Sequence, residues 1–212
     1  WMYNRDDVPG EGMIRVPTYD PRRGGILTMP AVMTATANGV DTSPIVRGVW
    51  LLENILGTPP SPPPPDVEPL SPDLRGAKTI REQLELHRKH EACASCHRKI
   101  DPMGFAFENF DPVGRWRTNY RTNGRPKIDA TTELPNGDQL ADIVAFKQML
   151  LKREPDFARC LTEKMLTYAT GRRLEPLDRG EINRITTALA KNGNRLRDLV
   201  HLVATSEIFL QK

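Results

Sequence analysis

The chain has 212 residues, 38% hydrophobic and 6% aromatic, with 30 basic residues against 27 acidic ones and a net charge of +3. That length suits one or two domains, and the near balance of charge argues against a nucleic-acid binder, which concentrates basic residues on one face. No apolar run approaches the ~20 residues that span a membrane, and three cysteines are too few for a disulfide scaffold. The lean apolar content leaves room for a bound apolar group to add to the core.

The opening, WMYNRDDVPG, carries no signal peptide and reads as a fragment of a longer protein. Residues 1–42 mix glycine and proline, which marks loops. Within them ILTMPAVMTATA (26–37) is apolar and is expected to pack on something. Ser43-Pro44 then opens a helix, with Ser as cap and Pro in the first turn. The helix runs through IVRGVWLLENIL and stops at Gly57 and Pro59. Residues 58–72, TPPSPPPPDVEPLSP, hold eight prolines and predict a polyproline linker, either a strap across the rest or a plain spacer.

Thr79 and Glu82 have capping-box spacing, so TIREQLELHRKHEA reads as a helix that leads into Cys93. Alternation and Asn-Gly pairs over 114–137 predict one or two short hairpins. Four more helices are expected: near 138–152, near 155–170 ending at Gly171, near 179–191 ending at Gly193, and near 195–209. Ile182, Ile185 and Leu189 form one apolar stripe, and Leu196, Leu199, Val200 and Val203 another.

The chemistry concentrates in EACASCHRKIDPMGF (91–105). Cys93, Cys96 and His97 spell Cys-x-x-Cys-His, the attachment pattern of haem c. Two cysteines three apart on a turn can each form a thioether with one haem vinyl group, and the adjacent histidine is brought under the iron as proximal ligand. A zinc site wants four ligands, normally two pairs, and a second pair is missing: Cys160 and His201 stand apart, and His90 is only three residues before Cys93. A thioredoxin-like redox pair wants a βαβ context that the pattern does not supply. Downstream, Phe105, Phe107, Phe110 and Trp116 are candidate pocket walls as a group, although each alone reads more simply as core.

Three stretches carry a resemblance: GILTMPAVMTATANGVDTSPIVRGVWLLENILGTPPSPPPP, CASCHRKIDPMGFAFENFDPVGRWR and FARCLTEKMLTYATGRRLE. In this order they resemble the C-terminal region of the large multidomain haem c proteins of planctomycete bacteria, a region made of two adjacent domains of unknown function. The resemblance covers nearly the whole chain. It implies a periplasmic or otherwise exported parent with further domains, and it gives a defined role only to Cys93, Cys96 and His97.

A sixth iron ligand must come from elsewhere. Met103 lies six residues after His97, a reach of about 20 Å at full extension, which barely rounds a porphyrin edge. Met149 and Met165 fall in predicted helices and read as core. Met29 is the favoured distal ligand and Met33 the second choice, because their segment is remote enough in sequence to approach the opposite face. His87, His90 and His201 are further candidates, and an open iron is the remaining possibility.

Other features have plain readings. Cys160 shares an apolar helix side with Phe157 and Leu161 and reads as core. Arg88, Lys89, Arg98 and Lys99 either steer an acidic redox partner or form a solvated patch. Arg115 and Arg117 either meet haem propionates or face solvent. Asp101, Glu108 and Asp111 are explained by turns and helix caps.

The expected fold is mainly α: a cytochrome c-like helical haem domain over 76–212, with a small β-hairpin excursion, joined by a proline-rich strap to a segment 1–75 that packs on it. The expected function is a mono-haem c module for single-electron transfer, exchanging electrons with other domains of its parent chain or an external redox protein. A haem enzyme or gas sensor with an open distal site, and a zinc-stabilised interaction module, are the rivals.

Overall fold

The computed structural model describes residues 16–62, 79–87, 91–121 and 124–211. It is mainly helical, with one two-stranded antiparallel sheet. The chain divides into two compact units, residues 1–50 with 60–148 and residues 51–59 with 149–212. This division differs from the expected one at residue 75, because the segment before the proline stretch and the cysteine motif share one unit.

In the first unit a 3-10 turn (Ile26–Thr28) leads into α1 (Pro30–Ala35), with Met29 at the junction and Pro30 opening the helix. The expectation that this apolar segment packs holds for Thr28, Met33 and Thr36, which are all buried. α2 (Pro44–Asn54) starts as predicted, with the Ser43 hydroxyl accepting the Val46 N–H at 3.3 Å. Its last residues, from Leu51, belong to the second unit. The proline stretch beyond residue 62, and with it most of the expected strap, lies outside the described residues.

α3 (Ile80–His87) is capped by Thr79, whose hydroxyl accepts the Glu82 N–H at 3.2 Å. α4 (Glu91–Phe105) is a separate helix and contains the whole cysteine motif. Antiparallel to α2, it meets that helix backbone to backbone. A Cβ on Gly48 would collide with the Ile100 carbonyl, and one on Gly104 with the Pro44 carbonyl. Glycine at both crossings lets the axes approach closer than the roughly 8–10 Å typical of packed helices. Ile80, Leu84, Phe105, Tyr120 and Ile128 form the core beside this crossing.

The hairpin runs past its expected window of 114–137, into residues where the next helix was expected to begin. β1 (Thr132–Glu133) pairs with β2 (Gln139–Leu140) in the register Thr132 to Leu140. Gly137 in the connecting turn has φ of +90°, which the Asn136-Gly137 pair supplies without strain. Single bridges at Phe110–Trp116 and Asn119–Lys127 complete the irregular stretch. α5 (Ile143–Leu151) follows and buries Ile143 and Phe146.

The second unit contains α6 (Glu154–Thr170), α7 (Arg179–Lys191), α8 (Leu196–Ala204) and α9 (Glu207–Leu210). Gly171 ends α6 in the left-handed conformation, its N–H donating to the Thr167 carbonyl at 2.9 Å. Ala158, Leu166, Ile182, Ile185, Leu189, Leu199 and Val203 make its core. The single helix expected over 195–209 is broken at Thr205, because the Ser206 hydroxyl caps a new turn by accepting the Phe209 N–H. Of the second predicted stripe, Leu199 and Val203 are buried, whereas Leu196 and Val200 stay exposed.

Two glycine substitutions separate these effects. Gly104→Ala must push α2 off α4 and is expected to lower the free energy of unfolding by about 3 kcal/mol. Gly180→Ala, in α7 with open space around it and no positive φ, is expected to raise it by roughly 0.5 kcal/mol through the unfolded chain. Urea titrations of the two variants measure both.

Candidate functional site

α4 positions the cysteine motif. Cys93, Cys96 and His97 all lie in its first two turns. Residues three apart on a helix are neighbours, with Cβ atoms about 5–6 Å from each other. Cys93 and Cys96 therefore start from adjacent positions on one face. The Cys96 thiol is free and half-buried. Arg98 and Lys99 beside it are exposed, while Ile100, Asp101, Pro102, Met103, Gly104 and Phe105 are all buried. The helix thus offers its first half and anchors its second.

His97 sits at the changeover and is only 8% exposed. Its Nδ1 lies 2.8 Å from Oδ1 of Asp101, one turn further along, and Asp101 is 2% exposed. A carboxylate only accepts hydrogen bonds, so a neutral His97 ring that donates to it does so from Nδ1 and leaves its lone pair on Nε2. That is the tautomer a metal-ligating histidine needs, with its second nitrogen held by a carboxylate. Asp101 is thereby more than the turn former expected from sequence. Its signal was present in the i,i+4 spacing from His97 on a helical pattern.

The favoured methionine candidates sit in the same unit. Met29 is 46% exposed, with its backbone fixed between the 3-10 turn and α1. Met33 is fully buried and packs at the Gly114 turn. Met103 is buried too. His90, Arg88 and Lys89 lie outside the described residues. His201 is on α8 and Cys160 on α6, both in the second unit. Cys160 is core as expected: its thiol donates to the Glu53 carbonyl at 3.5 Å, and burial pushes its pKa up.

The aromatic residues after the motif have protein partners. Phe105 belongs to the core and takes the Arg81 guanidinium over its ring at 4.2 Å. Phe107 meets Phe146 edge-on at 5.3 Å, and Phe110 meets Trp116 edge-on at 5.2 Å. Arg23 lies over Phe110 and donates to the Gly114 carbonyl at 2.6 Å, tying the first segment to this turn. Asp111 does form that turn, accepting the N–H groups of Val113 and Arg115.

Beneath the site lies a buried ionic cluster that sequence reasoning missed. Arg47 on α2 is 1% exposed and Glu108, just after α4, is fully buried. Glu108 Oε2 accepts the hydroxyls of Thr42 at 3.0 Å and Tyr120 at 3.1 Å, with Arg117 at 3.6 Å. Arg117 also donates to Asp41 and Thr42, so it neither faces solvent nor reaches outward for propionates. Arg47 donates to the Thr36 hydroxyl and the Phe107 carbonyl, both at 3.2 Å. Burial pushes the Glu108 carboxyl up, against the pull of Arg47 and Arg117, and pulls the Arg47 guanidinium down. The same burial, then the Glu108 charge, pushes the Tyr120 phenol up.

Removing one partner of such a cluster leaves the others charged and unsolvated. Glu108→Ala is expected to cost about 3–5 kcal/mol of stability. Glu108→Gln, which keeps the shape and an acceptor for the two hydroxyls, is expected to cost less; denaturant unfolding of the pair checks the order.

The donors suit a covalently held haem better than a closed zinc site. Two cysteines three apart on one helix and a histidine with Nε2 as its ligating atom are what thioether attachment and axial ligation require. Among the described residues no group of three or more His, Cys, Asp or Glu side chains is placed to hold a metal ion. No helix among them is long and apolar enough to cross a membrane.

Residues 23–120 match a family described as a protein of unknown function (DUF1588), and residues 136–209 a second one described as a protein of unknown function (DUF1585). No curated protein and no solved structure matches the chain. The first match contains the cysteine motif, Asp101, Glu108 and both candidate methionines of the first segment, and the second covers α6 to α8. The chain therefore carries two adjacent domains of unknown function, with the candidate site wholly inside the first.

Proposed function

We propose that the first domain is a mono-haem c module for single-electron transfer. The observation that carries the reading is the placement of Cys93, Cys96 and His97 on one helix with the His97 ring held by Asp101. Each cysteine thiol would add across one vinyl group, its sulfur bonding to carbon and its hydrogen passing to the neighbouring carbon. His97 would supply Nε2 as the proximal ligand. Bound haem supplies reversible one-electron chemistry, and the chain supplies anchoring, orientation and exclusion of water.

Met29 is the proposed sixth ligand. Met29 is half-exposed, whereas Met33 and Met103 are already packed. Exposed Arg98 and Lys99 flank His97 and suit an acidic redox partner, either another domain of a longer parent chain or a separate protein. The resemblance to planctomycete haem c proteins agrees with this reading. An exported, periplasmic location comes with it, because haem is attached covalently outside the cytoplasm.

Expression in a host competent for cytochrome c maturation is expected to give a red protein whose colour survives denaturation and acid–acetone extraction. Cys93→Ser or Cys96→Ser removes one of the two thioether links, and Cys93→Ser with Cys96→Ser abolishes covalent attachment. A colourless protein containing zinc would overturn the proposal in favour of the interaction module. In the red protein, Met29→Ala is expected to convert a six-coordinate spectrum to a five-coordinate one and to speed imidazole and carbon monoxide binding. An unchanged spectrum excludes Met29, and fast binding by the unaltered protein points to the haem enzyme or sensor.

A further inference from the structure

We infer that Asp101 is a positioning residue that gives His97 anionic character as a ligand and so holds the bound iron toward its oxidised state. The inference rests on the haem reading above. It also rests on geometry that needs no haem: the Nδ1 to Oδ1 distance of 2.8 Å between two buried side chains one helical turn apart.

The surroundings of Asp101 argue against a purely local role. It stands one turn from the C-terminal end of α4, where the helix dipole is negative and an acidic side chain is disfavoured. No basic residue occupies the last turn of that helix to offset it. It also precedes Pro102, a residue that removes a hydrogen bond from the helix. Helix stability is thus served poorly by an aspartate at this position. Ligand control is served well, because Asp101 fixes both the tautomer and the rotation of the His97 ring.

The kind of acceptor matters as much as its presence. A backbone carbonyl or an amide oxygen would hold the same Nδ1 proton and set the same tautomer. A carboxylate draws that proton further and raises the basicity of Nε2. Stronger donation from Nε2 favours ferric over ferrous iron, so the midpoint potential falls. Uptake of the one electron from the donor protein becomes less favourable, and its release to the acceptor more so.

The test compares wild type, Asp101→Asn and Asp101→Glu of this chain, each matured in a host competent for haem attachment. The expected result is covalent haem in all three, with the Asn variant shifted to a more positive midpoint potential. The Glu variant, which restores the charge, moves back toward wild type. Equal potentials in wild type and the Asn variant, both red, overturn this inference and leave the haem reading standing. A wild-type chain that takes up no haem overturns the haem reading and this inference together.

If the Asn variant does not mature, the wild-type protein alone decides. The hyperfine-shifted ring protons of His97 in the ferric state report imidazolate character directly. Shifts matching a histidine bonded to a neutral carbonyl overturn the assignment, and imidazolate-like shifts uphold it.

Discussion

Two backbones touch where α2 crosses α4, and the rest of the first unit is arranged around that touch. Gly48 lies against the Ile100 carbonyl and Gly104 against that of Pro44, with no space for a Cβ at either place. Two contacts one turn apart on each helix fix the register of α2 against α4. Once α4 is fixed in register, the residues it buries and those it leaves at the surface are fixed too. Ile100 and Met103 go inward with Asp101, while Arg98 and Lys99 go outward. The motif at the start of α4 inherits its orientation from a crossing at the other end of the helix.

The ionic cluster then locks what the glycines bring together. Arg47 leaves α2 one residue before Gly48 and ends on the Phe107 carbonyl, two residues after α4 finishes. Glu108 collects hydroxyls from Thr42 and Tyr120, and Arg117 joins Asp41 to the same centre. Apolar packing alone tolerates sliding, because one methylene contact resembles the next. A buried carboxylate with specified donors does not, since a shifted register leaves charge without a partner in a medium of low dielectric. The cluster therefore selects one arrangement of α2 against α4 more than it adds to net stability.

Much of this was legible in the sequence, for reasons of range. Ser43-Pro44, Thr79 with Glu82 and Gly171 act within a few residues of themselves, and the helix ends they predict are the ones found, whereas α2 ends at Asn54, short of Gly57. The motif was legible for the same reason, since thioether spacing is a property of one turn of chain. The Arg47–Glu108 cluster was not, because its members are distant in sequence and look like ordinary surface charges until the fold buries them. The aromatic residues show the converse. Phe105, Phe107 and Phe110 suggested a pocket by their density, but each has a partner contributed by a distant segment, Arg23 in the case of Phe110. Density along a chain does not say which way a side chain faces. Leu196 and Val200 make the same point on α8, where a stripe wider than the neighbouring helices can cover remains half exposed.

In the proposed reading, the two sides of the iron are built from materials of different stiffness. The proximal side is one helix, anchored by glycine contacts and carrying a histidine whose ring is held by a buried carboxylate. Its geometry is settled before any ligand arrives, so little ordering is required on binding. The distal side is offered by a methionine at the junction of a short turn and a short helix. Its backbone is hydrogen-bonded there, and its side chain is half in solvent. Methionine has three rotatable side-chain bonds and a soft sulfur, so it adapts to a position that others define. Both ligands set the electronic character of such a site, His97 through its carboxylate-held ring and the methionine by raising the potential. Its exchange with outside ligands is set from the distal side, where displacement is easy. Changes in α4 and changes around Met29 should then both move the potential, the first through the donor strength of Nε2 and the second through the sixth ligand, while the access of outside ligands to the iron should follow Met29.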